Sequence, residues 1–522
     1  MDATETDRSY AGLYRQYLQD NQALQTPDII NQALGGTQWE DPQTTKDYRN
    51  VAVVALAMAE QADEIDLRSL YLEIASNALQ SADGPISAAH RCLLSGLLEE
   101  PGAGQQTLRA LLSLASEPEE SSPLGLVYLP PTQPVALRAE LLRQLWQAQS
   151  AKQQALLLTV EALRRSPLVF YNAQGLRFLQ LAVAHYPQAG ALQLQLGLAL
   201  LFGGRVEGIV NLHRAQALAP QGTDQIAAAH QALHLAYRPI SAPASARWRE
   251  QAIAAAPADA QASPAWRWTQ TPPESPITYV SFEGLTLAAE ASLRSIVTSV
   301  LLGQGTWFEA ELALWRRQLQ PGMVVIDVGA NVGVYTFSAA RQVGRSGRVF
   351  AIEPFVGCVR CLQETCRING LDWVTVCEAA ASDRPGAAQL ALRGSSELNE
   401  LLPQTAEELP EGAAAVDCIT LDGLVNQHRL ERVDWIKIDA EGHELPVLEG
   451  ARSLLEQFKP SILYENIAAG QGANLEVSRW LQRAGYRLYR YRPYLQTLEP
   501  VAALTETQGV LNLIALPDAL SP

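Results

Sequence analysis

The chain has 522 residues, of which 48% are apolar, and its 39 basic and 55 acidic side chains give a formal charge of −16. This length predicts two or three domains, and the acidic balance disfavours binding to nucleic acid or to anionic membranes. No stretch approaches the ~18 consecutive apolar residues of a membrane helix. Since the first residues also lack a signal-peptide pattern, we expect no membrane span and a cytoplasmic location.

Residues 1–257 are rich in Ala, Leu, Gln and Glu and predict an all-α region. Within 170–257, the clearest part, three alanine–proline pairs recur at a spacing of five: Ala182 and Pro187, Ala215 and Pro220, Ala252 and Pro257. With the Leu196–Gly197 pair, this pattern resembles a tetratricopeptide repeat. The region is interpreted either as a protein- or peptide-binding surface or as a helical domain that packs on the rest of the chain or self-associates.

The proline-rich stretch 258–276 predicts a linker, and residues 277–518 predict a second domain. The second domain is organised around Val324–Val328, an apolar run typical of a buried parallel strand, followed by a glycine-containing turn and a helix. A dinucleotide fingerprint would require glycine where Asn331 and Val334 stand. An NAD-dependent oxidoreductase is therefore disfavoured.

A second apolar run, Arg348–Glu353, ends on a carboxylate that can accept both hydroxyls of a ribose. Asp327, near the end of the first run, can face the ammonium group of an amino acid. An adenosyl ligand with an amino-acid tail and no pyrophosphate fits this pair. The sequence therefore predicts S-adenosylmethionine as the cofactor.

Six segments resemble the FkbM family of S-adenosylmethionine-dependent methyltransferases: DVGANVGVYT (327–336), FAIEPF (350–355), AASD (380–383), TLDGL (420–424), DWIKIDAEGHELPVLEGA (434–451) and PSILYEN (460–466). The resemblance implies an α/β, Rossmann-like class I methyltransferase domain with a seven-stranded, mostly parallel sheet. It implies these cofactor-binding residues: Asp327, Gly329, Ala330, Asn331, Gly333, Tyr335, Thr336, Glu353, Pro354, Phe355, Ala380, Ser382, Asp383 and Asp439. It also makes Glu309 and Glu311 candidates to line the pocket, although both could be solvated acids at the start of a helix.

Polar residues follow two further strands of the predicted sheet, where ligands of open parallel sheets collect. We expect Asp439 to lie nearest the transferring methyl group. Glu441, His443 and Glu465 are expected to orient the acceptor or to take its proton, and which of them is the base stays open. Lys437 is a further catalytic candidate, or it pairs with Asp439 and fixes the loop.

A divalent-metal site at Asp439, Glu441 and His443 is an alternative, but we predict no metal because alternate positions after a strand need not share a face. The CxxC spacing of Cys358 and Cys361 likewise lacks a second ligand pair. It predicts free, buried thiols.

The leading hypothesis is methylation of a hydroxyl on a sugar, a glycan or another small polyhydroxylated metabolite. The alternative is an interaction or scaffold protein that uses its helical repeats, with the methyltransferase fold as a non-catalytic ligand-binding module.

Overall fold

The computed structural model describes residues 36–98 apart from two single positions, 187–257, 263–393, 399–402, 412–467, 473–493, 495–508 and 510–518, with isolated residues between. The helices predicted for residues 1–35 and for most of 99–186 lie outside this part of the chain. The chain divides into two compact units, one of 1–187 with 492–497 and one of 188–491 with 498–522. Among the described residues, no helix is both long enough and apolar enough to cross a membrane.

The first unit contains the helices α1 (Thr45–Gln61), α2 (Ile65–Gln80) and α3 (Pro85–Leu97). Helix α1 begins with a capping box, in which Thr44 and Asp47 each accept a hydrogen bond from the other's backbone N–H. Proline occupies the first position of α3, where no intrahelical N–H bond is lost. These features confirm that the described part of the amino-terminal region is helical.

The second unit begins with α4 (Gly190–Phe202), α5 (Gly208–Leu218), α6 (Asp224–Tyr237) and α7 (Ala242–Ala255). Helices α4 and α5 approach closely at two glycines. A Cβ atom on Gly197 would lie 2.9 Å from the Gly208 carbonyl oxygen, and one on Gly208 would lie 2.5 Å from the Gly197 oxygen. The glycine of the Leu196–Gly197 pair is thus required by helix packing, and the tetratricopeptide resemblance stays a prediction.

The predicted linker is partly built into this unit. Residues Pro264–Gln270 form a 3₁₀ helix in which Trp266 and Trp268 are buried. Upstream of it, the Gln231 side chain on α6 donates to Thr278 Oγ1 and to the Tyr279 carbonyl, both at 2.8 Å. We predicted a break at 258–276, whereas the compact unit that holds the sheet begins at Gln188.

The remaining helices are α8 (Ile296–Gln304), α9 (Glu311–Gln318), α10 (Val334–Val343), α11 (Val356–Asn369), α12 (Leu421–His428), α13 (Glu444–Glu449), α14 (Arg452–Phe458) and α15 (Leu475–Arg483). The strands of the main sheet are β3 (Val324–Val328), β4 (Arg348–Glu353), β5 (Val374–Glu378), β10 (Trp435–Ile438), β11 (Ser461–Glu465), β12 (Tyr486–Arg492), β13 (Thr497–Pro500) and β14 (Asn512–Pro517).

The strand order of the main sheet is β13-β12-β14-β11-β10-β3-β4-β5. Neighbours from β11 to β5 are parallel, and β14 is antiparallel to both β11 and β12. The sheet therefore has eight strands and is mixed, which corrects the predicted count of seven. The additional strand is the edge strand β13, whose four residues end in proline and show no alternation of apolar and polar side chains.

Two smaller sheets flank this core. Strands β1 (Ile277–Phe282) and β2 (Leu285–Glu290) form an antiparallel hairpin. The second contains β6 (Ala380–Ala381), β7 (Gly386–Ala391), β8 (Glu400–Leu401) and β9 (Ala414–Ile419). Cys358 and Cys361 are buried thiols outside any disulfide, as predicted.

The strand order of the main sheet reverses between β3 and β10, which pair directly with Asp327 opposite Lys437. Ligands of open α/β sheets bind outside the carboxyl ends of strands at such a reversal. The fold therefore places the ends of β3, β4, β10 and β11 around one location.

Candidate active site

Asp327 provides a buried carboxylate at the end of β3. The side chain is 1% exposed. Its Oδ2 accepts a hydrogen bond from Thr336 Oγ1 at 2.6 Å, whereas Oδ1 is buried and has no partner. Burial raises the pKa of Asp327 to about 6, against the opposing effect of the Lys437 ammonium. Because buried polar atoms are normally paired, the Oδ1 atom indicates a place for a donor that the chain does not supply.

Glu353 provides a second carboxylate at the end of the neighbouring strand β4. Its Oε2 accepts from the Asn331 backbone N–H at 2.9 Å and its Oε1 from the Phe355 N–H at 2.8 Å. Each oxygen keeps a second acceptor position. Burial raises the pKa of Glu353 to about 7, although both backbone N–H groups act in the opposite direction. Pro354, the residue between Glu353 and Phe355 in the chain, is partly exposed.

The loop after β3 packs against the loop after β10. Gly329 has a φ of +73°, and a Cβ atom there would lie 1.7 Å from the carbonyl oxygen of Asp439. The following residue, Ala330, is buried and donates its N–H to the Ile352 carbonyl at 3.1 Å. The close approach at Gly329 is therefore to the protein's own backbone.

Two further positions shape the same loop. Asn331 adopts a left-handed conformation, with φ of 49°, and its Oδ1 accepts from the Val332 N–H. Gly333 has a φ of +100°, and a Cβ atom on it would lie 2.3 Å from the ring of Phe337. The loop is thus held by local contacts of its own.

Lys437 is buried at the centre of the site, 3% exposed, on strand β10. Its Nζ donates to Asp439 Oδ2 at 2.6 Å and lies 4.6 Å from the centre of the Tyr335 ring. Burial opposes its charge, but the carboxylates of Asp439, Glu309 and Asp327 raise the pKa of Lys437 above its usual value. Lys437 therefore stays charged and holds Asp439 in place.

Glu309 binds the hydroxyl of Tyr335, whose ring contacts Lys437. Its Oε2 accepts from Tyr335 Oη at 2.6 Å and from Asn512 Nδ2 at 3.0 Å, and its Oε1 accepts from Trp307 Nε1 at 2.9 Å. The sequence left open whether Glu309 is a solvated acid, and these contacts show that it is tied into the site. Glu311 is the first residue of α9.

Asp439, Glu441 and Glu465 form a carboxylate cluster, with one oxygen of each within 4.8 Å of the others. Burial and the neighbouring Asp439 charge raise the pKa of Glu441 to about 8 and raise that of Glu465 strongly. Oε2 of Glu465 is buried without a partner. Three carboxylates at this spacing could also hold a divalent cation, and the absence of a metal stays a prediction.

His443 lies on a different side of the site from the one expected. Its Nε2 is 2.9 Å from Ser382 Oγ, which in turn donates to Asp383 Oδ1 at 3.1 Å. Burial lowers the pKa of His443, and the Asp383 carboxylate partly opposes this. The imidazole is thus bound to the segment after β6, where Ala380 is also buried and where the resemblance places the adenine.

Glu444 and its partner Asn474 were missed by the sequence reasoning. Glu444 is completely buried; its Oε1 accepts from the backbone N–H groups of Ala440 at 3.1 Å and Gly442 at 3.0 Å. Its Oε2 accepts from Asn474 Nδ2 at 3.0 Å. The sequence signal that could have identified Glu444 was an acidic residue directly after the loop that contains Gly442 and at the start of a helix.

Residues 327–488 match the model of the Methyltransferase FkbM domain family. The chain carries an FkbM methyltransferase domain. Methyltransferase sdnD of Sordaria araneosa is 30% identical over 155 residues, and the match covers 24% of this chain and 59% of that protein. The chain thus spans less than two thirds of this curated relative.

Two solved structures show more distant likeness. Methyltransferase FkbM from Methylobacillus flagellatus KT is 16% identical, with 42% of this chain and 53% of that chain covered and a TM-score of 0.26. A SAM-dependent O-methyltransferase from Thermotoga maritima is also 16% identical, with 47% and 78% covered and a TM-score of 0.24.

The FkbM domain contains the buried carboxylates of β3 and β4, the carboxylate cluster and the His443 contact. Glu309 and Asn512 lie outside the matched range. Residues on both sides of the FkbM domain therefore complete its candidate site.

Proposed function

We propose that the FkbM domain is an S-adenosylmethionine-dependent O-methyltransferase that acts on a hydroxyl of a sugar, a glycan or another small polyhydroxylated metabolite. The observation that carries the cofactor assignment is the buried Oδ1 of Asp327, which has no partner. An ammonium group would satisfy this atom. The neighbouring Glu353 has free acceptor positions for two ribose hydroxyls.

The residues present fit the cofactor from end to end. Asp327 would hold the amino group, Glu353 the ribose, and the Ser382–Asp383 segment the adenine side. When bound, the cofactor supplies a methyl group already activated on a sulfonium. The chain's own task is therefore to orient an acceptor and to accept its proton.

The carboxylate cluster suits an acceptor with several hydroxyl groups. Ionised carboxylates only accept hydrogen bonds, and hydroxyls donate them. Asp439 is paired with Lys437 and can orient one hydroxyl, while Oε2 of Glu465, which is buried without a partner, can form a hydrogen bond with another. Glu441, whose pKa burial raises to about 8, is the proton acceptor in this proposal.

The first test is calorimetric titration of S-adenosylmethionine and S-adenosylhomocysteine into the full-length protein. Asp327→Asn and Glu353→Gln should each weaken binding at least about tenfold, the cost of one charge-assisted contact. The matched control is Asp372→Asn, which removes an exposed carboxylate paired with Arg345. Absence of binding by the wild type would refute the cofactor assignment.

The second test identifies the reaction. Full-length protein is incubated with cofactor labelled with ¹³C on the methyl group and a panel of glycans and hydroxylated metabolites, and labelled products are located by NMR. An O-methyl product supports the proposal, whereas an N- or C-methyl product would contradict the choice of oxygen. Tight cofactor binding with no product across the panel would favour a non-catalytic ligand-binding module.

A further inference from the structure

Glu444 holds the backbone on both sides of Glu441. One carboxylate oxygen of Glu444 accepts from the N–H groups of Ala440 and Gly442, the residues that flank Glu441 in the chain. Glu444 is completely buried, so water does not compete for these bonds. The chain thus places an ionisable side chain in its interior where it contacts backbone N–H groups instead of a substrate.

The backbone held in this way is strained. Glu441 has a φ of 48°, a region that residues with a side chain rarely adopt, and Gly442 follows with a φ of 94°. Such conformations persist only where surrounding contacts fix them, and they cluster at functional sites. In this conformation one carboxylate oxygen of Glu441 lies within 4.8 Å of oxygens of Asp439 and Glu465.

The second oxygen of Glu444 extends the contact to the neighbouring strand end. It accepts from Asn474 Nδ2, and the Asn474 backbone N–H donates to the carbonyl of Asn466 at 2.6 Å. Asn466 directly follows Glu465 and is itself fixed, because its Nδ2 donates to the carbonyls of Thr507 and Val510. A continuous set of hydrogen bonds therefore joins the loop that carries Glu441 to the end of strand β11, which carries Glu465.

We propose that Glu444 is a positioning residue for the acceptor side of the site: with Asn474 it fixes the backbone that presents Glu441 and ties it to the strand end that presents Glu465. The inference rests on the proposed function, in that these two carboxylates face the acceptor. Glu444 itself is not expected to contact cofactor or substrate.

The first measurement is amide hydrogen exchange on the full-length wild type, Glu444→Ala and Glu444→Gln. Glutamine retains one acceptor oxygen for the two N–H groups. We expect exchange at Ala440 and Gly442 to rise at least about tenfold in the alanine variant and to be largely rescued by glutamine. Unchanged exchange in Glu444→Ala would overturn the proposal.

The matched control is Asp422→Ala. Asp422 is also a carboxylate that accepts two backbone N–H bonds at the start of a helix, from Ser453 at 3.1 Å and Leu454 at 2.8 Å. Its removal should increase exchange at those two amides and leave Ala440 and Gly442 as in the wild type. An equal effect on Ala440 would mean that the readout reports general loosening, which contradicts a specific role of Glu444.

The second measurement separates positioning from plain stabilisation and uses Asn474→Ala, which leaves the Glu444 charge and its backbone contacts in place. The Glu441 carboxyl is titrated by ¹³C NMR in protein labelled at glutamate side-chain carboxyls, with Glu441→Gln identifying the signal. A positioning role predicts that the midpoint moves by at least about half a pH unit, because the distance to Glu465 changes. An unchanged midpoint would overturn the link between the Glu441 loop and the end of strand β11.

Titration of S-adenosylhomocysteine into the same variants keeps this inference distinct from the proposed function. Cofactor affinity should stay within about twofold of the wild type in Asn474→Ala, because Asp327 and Glu353 lie on other strands. A wild type that does not bind the ligand would refute the proposed function while leaving the exchange and NMR results on Glu444 interpretable.

Discussion

Cofactor affinity should depend steeply on pH between 6 and 8, because the two carboxylates assigned to the cofactor hold protons in the ligand-free protein. Burial raises the pKa of Asp327 to about 6 and that of Glu353 to about 7. The ammonium and ribose hydroxyls favour the ionised carboxylates, so binding must lower both pKa values and release protons. Affinity therefore rises with pH through this window and levels off above it.

The size of the effect follows from these two values. At pH 6 about one tenth of the Glu353 side chains and about half of the Asp327 side chains are ionised. Binding at pH 6 should then be roughly 20-fold weaker than at pH 8, or about 1.8 kcal/mol. Binding at pH 6 should release about 1.4 protons per ligand.

Calorimetry with S-adenosylhomocysteine in two buffers of different ionisation enthalpy measures both the affinity and the number of protons released. In Glu353→Gln only Asp327 still titrates, so the difference between pH 6 and pH 8 should shrink to about twofold. In Asp327→Asn it should remain about tenfold. A wild-type affinity that is the same at both pH values, or a Glu353→Gln variant with the full dependence, would refute this reasoning.

Three further predictions concern stability, measured by denaturant unfolding. Gly329→Ala should destabilise the protein by at least about 3 kcal/mol, because the added Cβ would overlap a backbone oxygen. The control Gly370→Ala is also at positive φ but has open space around it, and it should cost about 1 kcal/mol. Equal losses in the two variants would contradict the packing argument. Lys437→Met should lower the free energy of unfolding by about 3–5 kcal/mol at pH 8, because it leaves the surrounding buried carboxylates without a counter-charge. The loss should be smaller at pH 5, where these carboxylates can protonate. A loss that does not depend on pH would contradict this reasoning. A fragment of residues 188–522 should unfold cooperatively, whereas a fragment of 277–522 should not, because it lacks the helices that contact the β1–β2 hairpin. Cooperative unfolding of both fragments would contradict a compact unit that begins at Gln188.

The central strands were predictable because buried parallel strands are almost continuously apolar, as in Val324–Val328 and Trp435–Ile438. Edge strand β13 lacks this signal and was missed. Proline and small residues predicted a linker at 258–276, but Trp266 and Trp268 within it indicate packing, since large aromatic side chains dominate cores.

The candidate site was predictable as a set of residue types and less so as a geometry. Strand ends converge whatever their sequence, so the grouping of Asp439 with Glu465 followed from topology. The direction of the His443 side chain did not follow from topology, because Glu441, two residues earlier, has a positive φ that turns the chain. The packing reason for Gly329 was also hidden, because its neighbour Asp439 lies more than 100 residues away in sequence.

The short loop 439–443 connects the two halves of the candidate site. Its first residue packs its carbonyl against the glycine of the cofactor loop, its last side chain binds Ser382, and Glu444 ties its middle to the β11 end. These contacts offset the mutual repulsion of the clustered carboxylates, of which the Lys437 ammonium compensates only part. The same loop contacts both the segment proposed to bind the cofactor and the carboxylates proposed to face the acceptor, so under the proposed function a shift in it would change the distance between the two reacting groups. The proposed methyl transfer therefore requires this loop to be rigid.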